Sequence, residues 1–134
     1  MVCYYCHSET QVTNSRYQKR ANRVWRRRRC LQCGNIATTL ESLDYASSLS
    51  FRGAEGRLEP FLRDKLFMSL YASLQHRQTA LRDATSLTDT VLAKLHVCMH
   101  DGAIDRLMLI THIIAVLRRF DKASAVHFDA YHKD

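Results

Sequence analysis

Two pairs of cysteines near the start of the chain have the spacing of zinc ligands. Cys3 and Cys6 form one Cys-x-x-Cys pair, and Cys30 and Cys33 form a second pair after twenty-three intervening residues. Two such pairs supply four thiolates to one tetrahedral ion, and the segment between them is long enough for a small β-ribbon. We therefore predict a closed, four-coordinate, structural zinc site, with an iron–sulfur cluster or redox-active cysteines as the alternatives.

Positive charge is concentrated in the same segment. The chain has 134 residues and a net charge of +7. Residues 1–40 contain eight basic residues and one acid, whereas residues 41–134 contain twelve of each. Seven of the eight basic residues are arginine, whose planar guanidinium pairs with phosphates and guanine edges. A basic field confined to one small unit predicts nucleic-acid binding, and a basic surface that only aids solubility is the alternative.

The predicted DNA contacts are five arginines of this segment: Arg16, Arg26, Arg27, Arg28 and Arg29. Alternate residues of a strand face opposite sides. Arg26 and Arg28 are therefore expected to face the DNA together, with Arg27 and Arg29 on the other side, although the sequence leaves open which pair has which role. Trp25 is expected either to pack under the ribbon or to stack on nucleic acid.

The elements that position these residues are a ribbon, a hairpin and a set of helices. Strand-forming runs at 10–15, 23–26 and 36–40 contain few large apolar residues, so zinc is expected to supply most of the ribbon's folding free energy. Gly53 and Gly56 predict the turn of a hairpin within 48–59. Leucines at every fourth position from Leu62 to Leu74 predict a helix that begins near Pro60.

Three more helices are predicted further along the chain. The sequence Ser86-x-x-Asp89 is interpreted as a weak capping box that begins a helix, and Gly102 as its end. Apolar residues from Ile104 to Leu117 predict the core helix, and residues 123–131 predict a last short one. The predicted fold class is α+β, with a small β zinc ribbon followed by a β-hairpin and a bundle of about four helices.

Several functional classes have no support in the sequence. No stretch approaches the ~18 apolar residues of a membrane span, no signal peptide is indicated, and the cysteine pattern fits a reducing, cytoplasmic compartment. No arrangement of catalytic residues emerges, so an enzyme is not expected. His96, Cys98 and His100 are predicted to lie on a partly buried helix surface, with Cys98 as a small core residue. A second metal site formed by these three residues is the alternative.

Further motifs accompany the cysteines. The ribbon contains Asn14-Ser15-Arg16, four arginines directly before the second cysteine pair, and Thr38-Thr39-Leu40-Glu41. The run Gly56-Arg57-Leu58-Glu59-Pro60-Phe61 precedes Arg63-Asp64-Lys65-Leu66, and the chain closes with Asp121-Lys122-Ala123-Ser124-Ala125-Val126-His127-Phe128. Across nearly the whole chain, these runs resemble the bacterial ribonucleotide reductase transcriptional repressors, the NrdR family, in which a zinc ribbon precedes an ATP-cone.

The resemblance implies a division of labour between two domains. Residues 1–45 would form a zinc ribbon that binds double-stranded DNA, and residues 46–134 an ATP-cone that binds ATP or dATP and forms homo-oligomers. Nucleotide identity would change the oligomer and thereby the pairing of ribbons on neighbouring DNA boxes. The protein would be a bacterial, nucleoid-associated repressor of ribonucleotide reductase genes.

The resemblance also implies a set of nucleotide-site residues: Arg52, Arg57, Glu59, Lys65, His76 and Arg77. Lys65 and Arg77 would hold phosphates as charged donors, and a solvated helix face is the alternative for the set.

The second half departs from the family pattern. Phe51-Arg52-Gly53-Ala54-Glu55-Gly56 stands where the family has a Val-Val-Lys-Arg-Asp-Gly strand, so the lysine near the phosphates is missing and Arg52 is its nearest substitute. His76-Arg77-Gln78 replaces Lys-Arg-Pro, and Ala125 and His127 replace a tyrosine and an arginine. Two alternatives follow: a divergent nucleic-acid-binding or scaffold protein that has lost nucleotide sensing, and a detached regulatory subunit of an enzyme, against which the basic ribbon argues.

Overall fold

The computed structural model describes residues 1–99 and 101–132. The chain divides into two compact units, Met1–Leu43 and Asp44–Asp134. The first is built of strands and the second mainly of helices, which confirms the predicted α+β class. Among the described residues, none of the helices combines the length and the apolar content that crossing a bilayer requires.

The first unit is an antiparallel sheet in which β2 is the central strand. Its strands are β1 (Thr10–Gln18), β2 (Arg23–Cys30) and β3 (Ile36–Ser42), and each contains one predicted run and extends beyond it. A short 3₁₀ turn, Lys19–Ala21, joins β1 to β2, and Asn22 completes the reversal with a φ of 46°. Asparagine tolerates this left-handed conformation better than most residues.

This sheet has almost no apolar core. Within residues 1–43, all of which the structure describes, only Cys3 and Cys30 are fully buried. So little buried surface cannot offset the conformational entropy lost on ordering the chain. The unit is therefore expected to depend on the four cysteines and their metal for its stability.

The second unit opens with a small mixed sheet. After the short helix α1 (Tyr45–Ser48), strands β4 (Ser50–Arg52) and β5 (Leu58–Pro60) pair antiparallel, which confirms the hairpin. The turn residue Gly56 has a φ of +72° and donates its N–H to the Gly53 carbonyl at 3.0 Å. A third strand, β6 (Ala103–Asp105), pairs parallel with β4. The sequence instead predicts Ile104 as part of the core helix, because three residues are too few to display a period.

The helices are α2 (Arg63–Leu74), α3 (Ala80–Cys98), α4 (Arg106–Phe120) and α5 (Lys122–His132). Two of the predicted helix starts are wrong. Pro60 is the last residue of β5, so α2 begins three residues later. Ser86 and Asp89 lie inside α3, which begins at Ala80. Asp89 accepts a hydrogen bond from Arg63 at 2.8 Å, so it pairs with another helix and does not begin its own.

The core lies between these helices and the small sheet. Leu66, Leu70 and Leu74 of the predicted leucine stripe are buried, whereas Leu62 precedes the helix and is 42% exposed. The largest fully buried side chains of the unit come from all four long helices and β6: Leu70, Leu74, Leu95, Ile104, Leu117 and Phe128. The helix α4 is less enclosed than its composition predicts, because Leu107 is 71% exposed.

Candidate zinc centre, nucleic-acid face and ligand pocket

The four predicted zinc ligands converge at one end of the sheet. Their Sγ atoms all lie within 4.8 Å of one another. The Cys3 and Cys33 sulfurs are 3.8 Å apart, and those of Cys6 and Cys30 are 3.4 Å apart. A tetrahedron with Zn–S bonds of about 2.3 Å places its sulfurs about 3.8 Å apart. The thiols therefore fit a structural zinc ion, and all four ligand positions come from the chain.

The two cysteine pairs form matching turns. The N–H of Cys3 donates to the Ser8 carbonyl and that of Cys30 to the Asn35 carbonyl, each at 2.8 Å. The residue after each second cysteine, His7 or Gly34, has a φ of 59° or 72°. These left-handed positions turn the chain back so that both sulfurs of a pair point to one centre.

The ionisation of the thiols also suits a cation. Hydrogen bonds from Ser8 lower the pKa of Cys6 to about 6, and the backbone groups of Cys6 and Tyr5 lower the pKa of Cys3. A backbone hydrogen bond from Asn35 lowers the pKa of Cys33, yet burial and the other three thiols raise it to about 12. Four clustered thiolates need a bound cation, which Zn²⁺ supplies.

The register of the sheet divides the arginine run between two faces. Arg27 lies opposite Asn14 and Thr38, and Arg29 lies opposite Gln11 and Ile36. Residues directly opposite each other in antiparallel strands project from the same face. Trp25 is paired with Arg16 on that face. We call this surface the arginine face, and its central members are Arg16, Arg27, Arg29, Gln11, Asn14 and Trp25.

On the arginine face, the basic side chains are open to solvent. Arg16, Arg27 and Arg29 are exposed, and Trp25 is half-buried and lies opposite Leu40 in the neighbouring strand. Among the described residues, no carboxylate pairs with any of these three arginines. Their charge is therefore directed outward without local neutralisation.

On the opposite face, the arginines are engaged within the sheet. Arg26 donates to Glu41 at 2.9 Å. Arg28 donates to the hydroxyls of Thr39 at 3.4 Å and Thr10 at 3.5 Å. Both side chains are half-buried. The alternation thus follows the expected pairs, but Arg27 and Arg29, not Arg26 and Arg28, are the more exposed pair.

The second unit contains a pocket of about 200 Å³ between β4, β5, α2, α4 and α5. Most of its lining is apolar: Phe51, Pro60, Phe61, Leu62, Leu66, Leu109, Ile110, Ile113 and Phe128. Charged groups at its edge are Lys65, Glu59 and Arg106, and Lys65 pairs with Glu59 at 3.6 Å. Ser69 and His132 complete the lining and are hydrogen-bonded to each other at 3.3 Å. We call this the α2–α4 pocket.

The six predicted nucleotide-site residues do not surround this pocket together. Glu59 and Lys65 line it, whereas Arg57 is exposed in the hairpin turn. Arg52 pairs with Asp105 at 3.2 Å, and both line a separate surface depression. Because neighbours in a strand face opposite sides, Phe51 enters the pocket and Arg52 points away from it. Arg52 therefore lies outside the lining of this pocket.

His76 and Arg77 belong to a different cluster. His76 contacts Asp121 at 2.7 Å, and Arg77 contacts Asp83 at 3.0 Å and stacks over the Phe120 ring at 4.8 Å. Hydrogen bonds from Ser124 and His76 lower the pKa of Asp121. These contacts join the turn after α2 to α3 and to the residue that precedes α5. Both side chains therefore take part in contacts between elements of the second unit.

Two of the three residues of the alternative second metal site, His96 and Cys98, lie in the described part of the chain. His96 stacks on Tyr45 with ring centroids 5.8 Å apart. Cys98 is half-buried, with its Sγ 3.5 Å from the Nε2 of His112. His100 lies outside the described residues. Within the described part of the chain, the four ribbon cysteines are the one cluster suited to a metal.

Sequence reasoning missed several residues at these surfaces. Gln11 and Asn14 share the arginine face. Strict alternation along the first strand would place them on opposite sides, and the bulge between Val12 and Asn14 brings them to the same side. Phe51 lines the α2–α4 pocket, which its position in the sequence does not indicate. Arg106 and His132 reach the pocket from the start of α4 and the end of α5, and no local sequence signal joins those positions.

Comparison with known proteins matches both units. The family described as "Transcriptional repressor NrdR-like, N-terminal domain" matches residues 1–41. A protein named Transcriptional repressor NrdR from Opitutus terrae is 31% identical over 135 residues, covering 100% of this chain and 88% of the relative. Proteins of the same name from Heliobacterium modesticaldum (30% identical, 99% of this chain, 87% of the relative) and Symbiobacterium thermophilum (28% identical, 100% and 88%) are also similar.

These names describe a regulatory role and not an enzymatic one. The similarity extends through the helical unit as well as the ribbon, and the four-cysteine cluster is that of the family's zinc ribbon domain. The chain therefore belongs to the NrdR family of transcriptional repressors.

Proposed function

We propose that this protein is a zinc-dependent transcriptional repressor that binds double-stranded DNA through the arginine face of its ribbon. The observation that carries the proposal is the outward set of Arg16, Arg27 and Arg29 on a sheet held by the four cysteines. The resemblance to the family suggests ribonucleotide reductase genes as targets, and a nucleoid-associated location follows from the same proposal.

The dimensions of the face suit duplex DNA. Arg27 and Arg29 are two residues apart in one strand, so their Cα atoms are separated by about 7 Å, close to two base-pair steps of ~3.4 Å. Arginine reads guanine edges, and the nearby amides of Asn14 and Gln11 suit adenine. Trp25 provides an apolar surface for contact with sugars or bases.

The test compares arginines on the two faces. A duplex site would be selected by the protein from a random pool, and binding to it measured by fluorescence anisotropy across a salt series. Arg27→Ala and Arg29→Ala are expected to weaken binding by about 1–3 kcal/mol each and to reduce the salt slope by about one. Arg26→Ala removes the same charge from the opposite face and is the matched control.

Equal losses from Arg26→Ala and Arg27→Ala would contradict the arginine face. Transcription in vitro from a template carrying the selected site tests repression itself. The zinc-loaded protein is expected to lower the yield of transcript, and Arg27→Ala to restore it. Unchanged transcription at saturating occupancy would contradict the repressor role.

The regulatory half of the proposal concerns the second unit. We propose that adenine nucleotides enter the α2–α4 pocket and change the assembly of homo-oligomers, and that the assembly sets the spacing of ribbons on DNA. Glu59 and Lys65 support a polar ligand at this pocket. Light scattering coupled to size exclusion, with and without ATP or dATP, tests the assembly. An elution profile that neither nucleotide changes would remove the effector from the proposal.

A second candidate is a constitutive DNA-binding protein that has lost nucleotide sensing. The observation that favours it is the mostly apolar lining of the pocket, in a chain whose segment 51–56 lacks the family's lysine. Calorimetric titration distinguishes the two candidates. Heat of binding from any adenine nucleotide or nucleoside favours regulation, and its absence with intact DNA binding favours the constitutive protein.

A further inference from the structure

The two ends of the arginine face carry different chemical groups. Beside the zinc ligands, an open depression of about 570 Å³ continues the face from the sheet onto the turn of the second cysteine pair. Its lining includes Arg29 of β2, Gln11 of β1, and Leu31 and Gln32 of the turn. We call it the zinc-end depression. Among the residues that line it, one cation is therefore combined with two amides and an aliphatic side chain.

Arg29 lies against the second cysteine turn. Its Nη2 atom is 4.0 Å from the position that a Cβ of Gly34 would occupy. Gly34 has a φ of +72° and no side chain, so the guanidinium lies over bare backbone at the rim of the depression. Gln11 is directly opposite Arg29 in the sheet, so the two side chains project from the same face. The arginine and the first amide are therefore neighbours.

The two amides are available to a partner. Gln11 and Gln32 are exposed, and within the described part of the chain neither side chain has a hydrogen-bond partner. An amide offers a donor and an acceptor together, which the adenine edge matches, and arginine offers the paired donors that a guanine edge accepts. Leu31 is 66% exposed and can contact a thymine methyl group. Such a set distinguishes base pairs, which a cation alone does not.

At the opposite end of the sheet, the exposed groups are cations. Arg16 lies opposite Trp25, and Lys19 and Arg20 belong to the turn between β1 and β2. All three basic side chains are exposed, and no carboxylate of the described residues pairs with them. Long, flexible cations suit phosphates, whose contacts carry no sequence information. Trp25 and Arg29 are separated by about 13 Å along β2, or roughly four base-pair steps, so one short duplex segment reaches both ends.

We infer that the zinc-end depression reads base-pair edges in a groove of duplex DNA and that the turn end anchors the ribbon on phosphates. The residues that determine sequence specificity are Arg29, Gln11 and Gln32, and those that supply affinity without selection are Arg16, Lys19 and Arg20. The inference rests on the proposed binding of DNA through the arginine face and states how that face is divided.

The first experiment exchanges arginine for lysine at each end, so that charge is conserved. The zinc-loaded full chain is titrated with the duplex selected from the random pool and with a scrambled duplex of the same length and composition. Arg29→Lys loses the planar fork and is expected to lower the ratio of the two affinities by roughly fivefold or more. Arg16→Lys is the matched control, with an unchanged ratio expected because a phosphate accepts either cation.

The second experiment separates reading from charge. Gln32→Ala is expected to lower the same ratio without changing the salt dependence, and a new selection with this variant is expected to lose preference at a few adjacent base pairs only. Lys19→Ala is expected to weaken binding to both duplexes by the same factor and to reduce the salt slope by about one. Zinc content and Trp25 fluorescence verify that each variant is folded, and Gln11→Ala repeats the test outside the cysteine turn.

The possible failures are distinguishable. A ratio that Arg29→Lys and Arg16→Lys lower equally, or that neither Arg29→Lys nor Gln32→Ala lowers, would overturn the division of the face. A random pool that yields no enriched sequence would do the same. DNA binding through the arginine face stands in each of these cases if Arg27→Ala weakens it. If Arg27→Ala and the variants at both ends leave binding unchanged, the face and the inference fall together.

Discussion

Arg26 and Arg27 are chemically identical neighbours with different surroundings. Arg26 is half-buried and paired with Glu41, and Arg27 is exposed on the arginine face. The difference arises because successive residues of β2 face opposite sides of the sheet. A run of four arginines is therefore two pairs with separate tasks: one pair tied into the ribbon and one pair open to a partner.

Asp121 gives a residue-scale prediction for stability. It accepts hydrogen bonds from Ser124 and His76 and has a lowered pKa. Asp121→Asn is expected to lower the free energy of unfolding by roughly 1 kcal/mol near neutral pH, since the charge-assisted bonds are weakened. Urea titration followed by circular dichroism measures the difference. Glu55→Gln, at an exposed turn residue, removes the same charge and is expected to have little effect.

The pH dependence of this difference has a definite sign. The folded-state pKa of Asp121 is below its unfolded value of about 3.9, so its contribution is present above that value and is lost as the pH falls through the lowered pKa. The gap between wild type and Asp121→Asn is therefore expected to persist at neutral pH and to close in acid below about pH 4. A gap that widens in acid would contradict this assignment.

At the scale of elements, α2 shows how one helix separates core from surface. Leu70 is fully buried and Met68, two residues earlier, is 66% exposed. Leu70→Ala is expected to reduce the free energy of unfolding by about 2–5 kcal/mol, because it loses apolar contact and leaves a cavity. Met68→Ala is expected to change it by less than about 0.5 kcal/mol. Chemical denaturation measures both, and similar values for the two variants would contradict the packing of α2.

The hairpin provides a second prediction at this scale. Gly56 has a φ of +72°, and a Cβ there would meet no atom within 4 Å, so its substitution introduces backbone strain alone. Gly56→Ala is expected to destabilise the second unit by about 1–2 kcal/mol. Gly53, whose φ lies outside the left-handed region, is the matched position, and Gly53→Ala is expected to cost less. Thermal denaturation compares them, and the reverse order would contradict the turn geometry.

At the scale of the whole molecule, the two units have different sources of stability. The ribbon depends on its cysteine cluster, whereas the second unit has a core of leucine, isoleucine and phenylalanine side chains. The net charge follows the same division, because the excess of basic residues lies in residues 1–40. A basic module with a four-cysteine cluster is thus joined to a module with an apolar core.

Removal of zinc is expected to unfold the first unit alone. Trp25 is the single tryptophan of the chain and lies in the ribbon, so its fluorescence reports on that unit, while circular dichroism at 222 nm reports mainly on the helices. A strong chelator is expected to shift the fluorescence and abolish DNA binding, with the helical signal retained. Cys30→Ser is expected to have the same effect. Simultaneous loss of both signals would contradict independent stability.

The sequence determined the features that depend on local spacing. Two Cys-x-x-Cys pairs are sufficient to predict a zinc site, because each pair fixes its own turn, and period-four leucines predict α2 for the same local reason. The α+β class, the hairpin and the family resemblance were likewise accessible from the order of residues. Helix starts were less accessible, since Asp89, interpreted as part of a cap, is held by Arg63 of another helix.

Only the tertiary structure decided which of these residues act together. The bulge in β1 and the register of β2 bring Asn14 to the side of Arg27, and the parallel pairing of β6 with β4 turns Arg52 toward Asp105. His76 and Arg77 belong to a different cluster from Lys65 for the same reason: they contact α3 and the junction of α4 and α5, whose positions depend on long-range packing. Contacts between distant segments carry no local period, so the sequence predicted the zinc ligands and the structure selected the arginine face and the pocket.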